Sequence, residues 1–172
     1  MCAGYARNPT HADPDLKLTS SLLGVSAPLT ASAGPLEVRV PSHQSIVPDA
    51  LSILHSERGH SPGVRVGDLL LVSGMLGRES DLTVVHDHEA QIAKIFDNMR
   101  LVLAEAGCNW GDIVELTAYF IDLRRDFDLF MKVRNRYLQE PWPAMTMVGI
   151  AELAQPGLIC EVKGMAAIPR GR

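Results

Sequence analysis

The sequence predicts an α+β domain: a mixed β-sheet with two helices packed on one face. Two segments repeat apolar residues every three to four positions, as amphipathic helices do. The stretches around them alternate with the two-residue period of strands and come in pairs at both ends. Read in order, the elements after residue 43 run β-β-α-β-α-β-β, which is neither the strict alternation of a parallel α/β protein nor an all-β pattern.

Residues 1–42 are rich in Ser, Ala, Pro and Thr, and Pro and Gly interrupt every candidate element. They are expected to form a loosely ordered arm ahead of a domain over 43–172, although Leu36–Val40 alternates as an edge strand would. In the domain, Val64–Val66 and Leu69–Val72 flank Gly67-Asp68, a two-residue hairpin signal in which Gly accepts a positive φ. Ser73-Gly74 is expected to close the second strand. The clearest helix follows, with Ile92, Ile95, Phe96, Met99, Val102, Leu103 and Ala106 on one stripe, Asp87 or His88 to begin it and Gly107 to end it.

"DIVELTAYFID" predicts a strand with Val114, Leu116, Ala118 and Phe120 on one face and Ile113, Glu115, Thr117, Tyr119 and Ile121 on the other. "DFDLFMKVRNRYLQE" predicts a second helix with Phe127, Phe130, Met131, Arg134 and Leu138 along one side. "AMTMVGI" and "LICEVKGMAAI" close the sheet.

Composition bounds the function. The 172 residues are 47% hydrophobic, enough for one domain with a proper core. A net charge of −4 and no basic stripe argue against a nucleic-acid partner held by phosphate neutralisation. The three cysteines, Cys2, Cys108 and Cys160, are far apart and suit free thiols in a reducing compartment. No run has the length of a membrane span and the start does not read as a secretory signal, so the expectation is a cytoplasmic protein without a membrane partner.

Glu161 and Lys163 project from one face of the last strand, while Leu158, Cys160 and Val162 take the other. Lys163 reads as a charge guarding a sheet surface. For Glu161, a solvated carboxylate and a cavity carboxylate are both open. In an apolar pocket beside Met145, desolvation would suit it to proton transfer. The "HDHE" run from His86 to Glu89 reads as helix capping and does not complete a metal site. His60, in "GHSPG", is open between a turn residue and a site residue. Ser73 has no base in its sequence context, and no GxSxG, HExxH, P-loop or dinucleotide fingerprint occurs.

Four segments together, "HSPGVRVGDLLLVSGMLG", the block from "EAQIAKIF" through "AEAGCNWGDIVELTAYFIDL" to "NRYL", "PWPAMTMVGIAEL" and "CEVKGMA", resemble the YjgF/RidA family of enamine/imine deaminases. The resemblance covers roughly residues 60 to 167 in order and spacing. It implies a chorismate-mutase-like α+β fold and a homotrimer with clefts between subunits, working on a small molecule with no cofactor and no metal. It also implies site positions. His60 falls where the family usually carries an aromatic. Ser73 and Gly74 fall on its "SGQ" element, with Met75 in place of the glutamine. Glu161 falls on its water-positioning glutamate. The family's carboxylate-clamping arginine falls on Met145, with Thr146 beside it.

Methionine lacks the charged planar fork of arginine. Losing such a partner costs about 2–5 kcal/mol of binding. The expectation is therefore a substrate less acidic than a 2-imino acid. On this reading Glu161, His60 and Ser73 are catalytic, and Gly74, Met75, Met145, Thr146 and Lys163 contact substrate. The competing reading is a non-catalytic metabolite-binding trimer using the same clefts. Endoribonuclease activity, also attached to the family, fits poorly with the acidic charge balance.

Overall fold

The computed structural model describes residues 42–170. The expected arm, with Leu36–Val40, lies outside the described residues apart from Ser42. Within them the chain forms β1 (Gln44–Ile46), α1 (Ser52–Ser56), β2 (Gly63–Val66), β3 (Leu69–Leu76), α2 (His88–Glu105), β4 (Ile113–Phe120), α3 (Leu123–Arg134), β5 (Ala144–Gly149) and β6 (Cys160–Ala167). Strands are ordered β1-β2-β3-β6-β4-β5 in one sheet. All pairs are antiparallel except β4 with β5, which is parallel and joined through α3, as a parallel pair requires a crossover. The α+β class is confirmed. The short β1 and α1 are additions the sequence pattern did not announce.

The hairpin turns at Gly67, which takes φ +59°. Asp87 is the N-cap of α2: its carboxylate accepts from the Ala90 N–H at 2.8 Å. Every expected apolar residue of that helix from Ile92 to Leu103 is buried against the sheet. Gly107, at φ +73°, follows the helix end. Phe96 stacks on Tyr137 and also touches Trp110 and Phe130, so α2 and α3 share one aromatic core. Burial pushes the Cys160 thiol up to about 12, which makes it a packing residue.

Three local expectations are corrected. Val114 is exposed and Ile113 buried, the reverse of the simple alternation, because the β4–β6 register shifts between Ile113 and Glu115 and flips the phase. On α3, Phe127 faces solvent at 39% exposure, and Asp126, Phe130, Val133 and Arg134 face inward. The buried Asp126 is satisfied by two bonds from Arg125 (3.0 and 2.7 Å) and one contact with His88 Nδ1 (3.2 Å). Leu138 is buried but lies beyond the helix.

The third correction matters most for the site. Ser73-Gly74 does not end a strand; β3 runs on to Leu76. Val72 pairs with Gly164 and Met75 with Val162, so β3 advances three residues while β6 advances two. This is a β-bulge, a feature that re-aims side chains and recurs beside active sites. Leu70 and Val72 are core residues before it, and Met75 is a core residue after it. Ser73 and Gly74 are both left on the side away from the helices.

Candidate active site

That side carries a cleft of about 630 Å³, walled by Arg58, His60, Ser73, Gly74, Leu76, Arg78, Ala154, Gln155 and Glu161. The bulge on β3 forms its floor. Leu76 is the cross-strand partner of Glu161, and Arg78 lies two residues further along the same side. The carboxylate reaches back over Gly74: a Cβ there would sit 1.8 Å from Glu161 Oε1. Glycine is the residue that leaves this space open.

Glu161 is half-buried, and burial pushes its carboxyl above the usual carboxylate range. The positive charge of Arg78, and then His60, pulls the other way. The Arg78 guanidinium is itself partly desolvated and stands near Arg58, and both lower its pKa. Its Nη1–H donates to Gln155 Oε1 at 2.7 Å. Its backbone carbonyl accepts from buried Asn98 Nδ2 at 3.1 Å, so both ends of the residue are held.

The wall opposite β3 is fixed by Gln91, which is fully buried. Its Oε1 accepts from the Ile159 N–H at 2.7 Å, and its Nε2 donates to the carbonyls of Val85 (2.5 Å) and Gly157 (3.0 Å). One amide thereby ties α2 to the loop that carries Ala154 and Gln155.

Of the residues expected at the site, Glu161, His60, Ser73 and Gly74 converge here. The hydrogens of Ser73 are committed elsewhere: Oγ donates to the Ser61 carbonyl at 2.7 Å and the backbone N–H to Pro62 at 2.9 Å. Ser73 thus fixes the segment behind His60. Met75 is 2% exposed and packs in the core, because the bulge turns it to the helix side. Lys163 lines an adjoining recess of about 500 Å³ with Tyr119, Ile150, Glu152, Leu153, Ala154 and Glu161. Met145 and Thr146 lie on the edge strand β5. Met145 is in register with Leu116 and packs partly against the core, and neither residue lines the cleft. The pocket of Glu161 is therefore polar and does not contain Met145.

Arg58, Arg78 and Gln155 were not singled out from the sequence. "MLGRES" and "ELAQPG" have no motif character, and only the sheet pairing brings them together.

The endoribonuclease L-PSP family model matches residues 51–168, spanning strands β2 to β6 and every wall of the cleft. The chain is a member of the YjgF/RidA family. Among family members, the RutC family protein YjgH of Escherichia coli is 36% identical over 126 residues, covering 73% of this chain and 95% of that protein. A 2-iminobutanoate/2-iminopropanoate deaminase of Dermatophagoides farinae is 32% identical over 114 residues, covering 63% of this chain and 85% of the other. The solved structure of protein YjgH superposes with a TM-score of 0.70 at 35% identity, covering 75% of this chain and 98% of that one. RidA from Psychrobacter sp. PAMC 21119 gives 0.60 at 29% identity, covering 63% and 88%. The YjgF/RidA fold expected from the sequence is thus the fold of this chain. Among the described residues no helix is long and apolar enough to cross a membrane.

Proposed function

We propose that this chain is a YjgF/RidA-type hydrolase acting on an imine, an enamine or a related unsaturated carbonyl compound. The observation that carries the reading is the Glu161 carboxylate, half-buried in the cleft with its pKa raised by burial. A raised value makes the ionised carboxylate a stronger base toward water. In the proposed reaction, Glu161 takes a proton from water as the oxygen attacks the C=N carbon. The nitrogen takes a proton from a second donor to give the carbinolamine; Glu161 then passes its proton to that nitrogen, the C–N bond breaks as the hydroxyl becomes a carbonyl, the hydroxyl proton restores the donor and ammonia leaves. An enamine first gains a proton at carbon to become the imine. His60, on the cleft wall, serves as a second donor. The name of the Dermatophagoides farinae relative supports this class of chemistry.

The homotrimer with intersubunit clefts, in the cytoplasm, belongs to the same proposal. Leu69 and Leu71 on β3, Val114 on β4 and Val148 on β5 are each 40–44% exposed, on positions that alternate with core residues. A sheet face this apolar suits burial against other copies. Such packing is also a way for Met145, remote from the cleft within one chain, to approach the cleft of another copy. The less acidic substrate expected from the sequence rests on position 145 alone, and Arg58 and Arg78 in the cleft wall weigh against it.

The test is Glu161→Gln, assayed on imines generated in situ by an amino-acid oxidase. Loss of turnover with oligomer and ligand binding intact supports the enzyme. If wild type turns over no imine and Glu161→Gln only shifts affinity, the chain is a metabolite-binding protein.

A further inference from the structure

We infer that Arg78, backed by Arg58, is the seat for a carboxylate group of the ligand, on the β3 side of the cleft. The inference rests on the reading of this cleft as the active site and specifies the ligand that it takes.

Five observations converge. Two arginines and one carboxylate line the cleft, so its charged side chains sum to a net positive wall. Arg78 is oriented before any ligand arrives, by Gln155 at Nη1 and by Asn98 at its backbone carbonyl. With Nη1 occupied, the Nε and Nη2 edge of the guanidinium has no hydrogen-bond partner among the described residues. That edge presents two parallel N–H groups, the geometry that a planar carboxylate accepts with both oxygens. Arg58 likewise has no ion-pair partner among the described residues. The two like charges stand close enough for Arg58 to lower the pKa of Arg78, a repulsion that a bound anion would relieve.

This reverses the expectation drawn from Met145. The ligand is acidic, with its carboxylate held from β3, and its reacting carbon faces Glu161 across Gly74. An arginine edge pairs with two oxygens of a carboxylate or of a phosphate alike, but Arg58 and Arg78 set against the Glu161 carboxylate leave one positive charge in excess, which balances a carboxylate monoanion and not a phosphate dianion.

The experiment measures binding, apart from turnover. Isothermal titration calorimetry at low salt compares pyruvate, 2-oxobutanoate, their neutral amides and inorganic phosphate on wild type, Arg78→Met, Arg78→Lys and Arg58→Met, with melting curves confirming that each variant is folded. We expect Arg78→Met to weaken the 2-oxo acids tenfold or more and leave the amides unchanged. Arg78→Lys should restore only part of the loss, because a lysine keeps the charge without the fork. Arg58→Met should have a smaller effect in the same direction. Equal binding of acids by wild type and Arg78→Met overturns the inference, as does wild-type binding of amides as tight as of acids. Phosphate binding stronger than that of the acids, and lost in Arg78→Met, overturns the carboxylate in favour of a phosphorylated ligand. If no imine is turned over while acid binding still tracks Arg78, the proposed reaction fails and the carboxylate seat stands. If Glu161→Gln abolishes turnover while Arg78→Met leaves KM for an acidic imine untouched, the reaction stands and the seat fails.

Discussion

The Glu161 carboxylate occupies the space in which any side chain at Gly74 would begin. A Cβ on Gly74 would lie 1.8 Å from Oε1 and 2.7 Å from the carboxyl carbon. The contact exists because the β3 bulge leaves residue 74 on the cleft side of the sheet, against the strand that carries Glu161.

Gly74→Ala should therefore fold and fail to work. The obstructing group is the end of a flexible side chain, which swings away at small cost in stability. A reacting group displaced by about 1 Å loses on the order of a hundredfold in rate. The check is kcat beside the melting temperature: a fall in kcat of that size with Tm held is expected, and an unchanged kcat would mean that Glu161 works from a different position.

The pH dependence of turnover should follow Glu161. Acting as a base, it must be ionised, so kcat/KM rises through a pKa above the usual carboxylate range. Arg78 favours the ionised form, so Arg78→Met should move this acid limb to higher pH. Stability runs the other way. A carboxyl whose folded pKa lies above its unfolded value, about 4.3 for Glu, weighs increasingly against the folded state as pH rises from the unfolded value to the folded one, and fully above it. Glu161→Gln should thus melt no lower than wild type at pH 8, with the difference gone near pH 4. A lower melting point at pH 8 would show that the carboxylate makes a stabilising contact.

Gln91→Ala should loosen the wall of the cleft from behind. It strands the Ile159 N–H and two carbonyls in a buried site, where each unsatisfied group costs about 1–3 kcal/mol. Three such groups make a loss of about 3 kcal/mol or more, which lowers Tm by at least about 6–12 °C at this chain length. Because the loop also carries the Gln155 partner of Arg78, KM for an acidic substrate should rise in parallel. A fall in Tm with KM constant would separate the fold from the seat.

Met145→Arg tests whether a second copy completes the cleft. Within one chain position 145 is on β5, away from the residues around Glu161. A gain of tenfold or more on 2-iminopropionate is expected if β5 of a neighbouring copy closes the cleft. No gain, with the oligomer preserved, would remove position 145 from the site.

The helix over His88–Glu105 was legible because its apolar stripe repeats with the helical period and its cap and terminating glycine are local signals. The hairpin at Gly67 and the two faces of β6, and so the outward direction of Glu161, were legible for the same reason. Helix period, strand alternation and turn chemistry are written within a few residues, and the sequence by itself determined them. The bulges were not written there. The expected phase of β4 slipped at Ile113, and Ser73-Gly74 passed for a strand end, because a bulge is a mismatch between two paired strands and appears only when both are present. Likewise, Asp126 interrupts an apolar stripe in sequence and is accommodated only because Arg125 and His88 meet it in space. The cation of the cleft follows the same division. Position 145 drew attention through resemblance, whereas Arg78 stands in an ordinary loop-like stretch of sequence. Its place beside Glu161 comes from pairing β3 with β6, strands separated by more than eighty residues of chain, and only tertiary structure supplies a neighbour at that range.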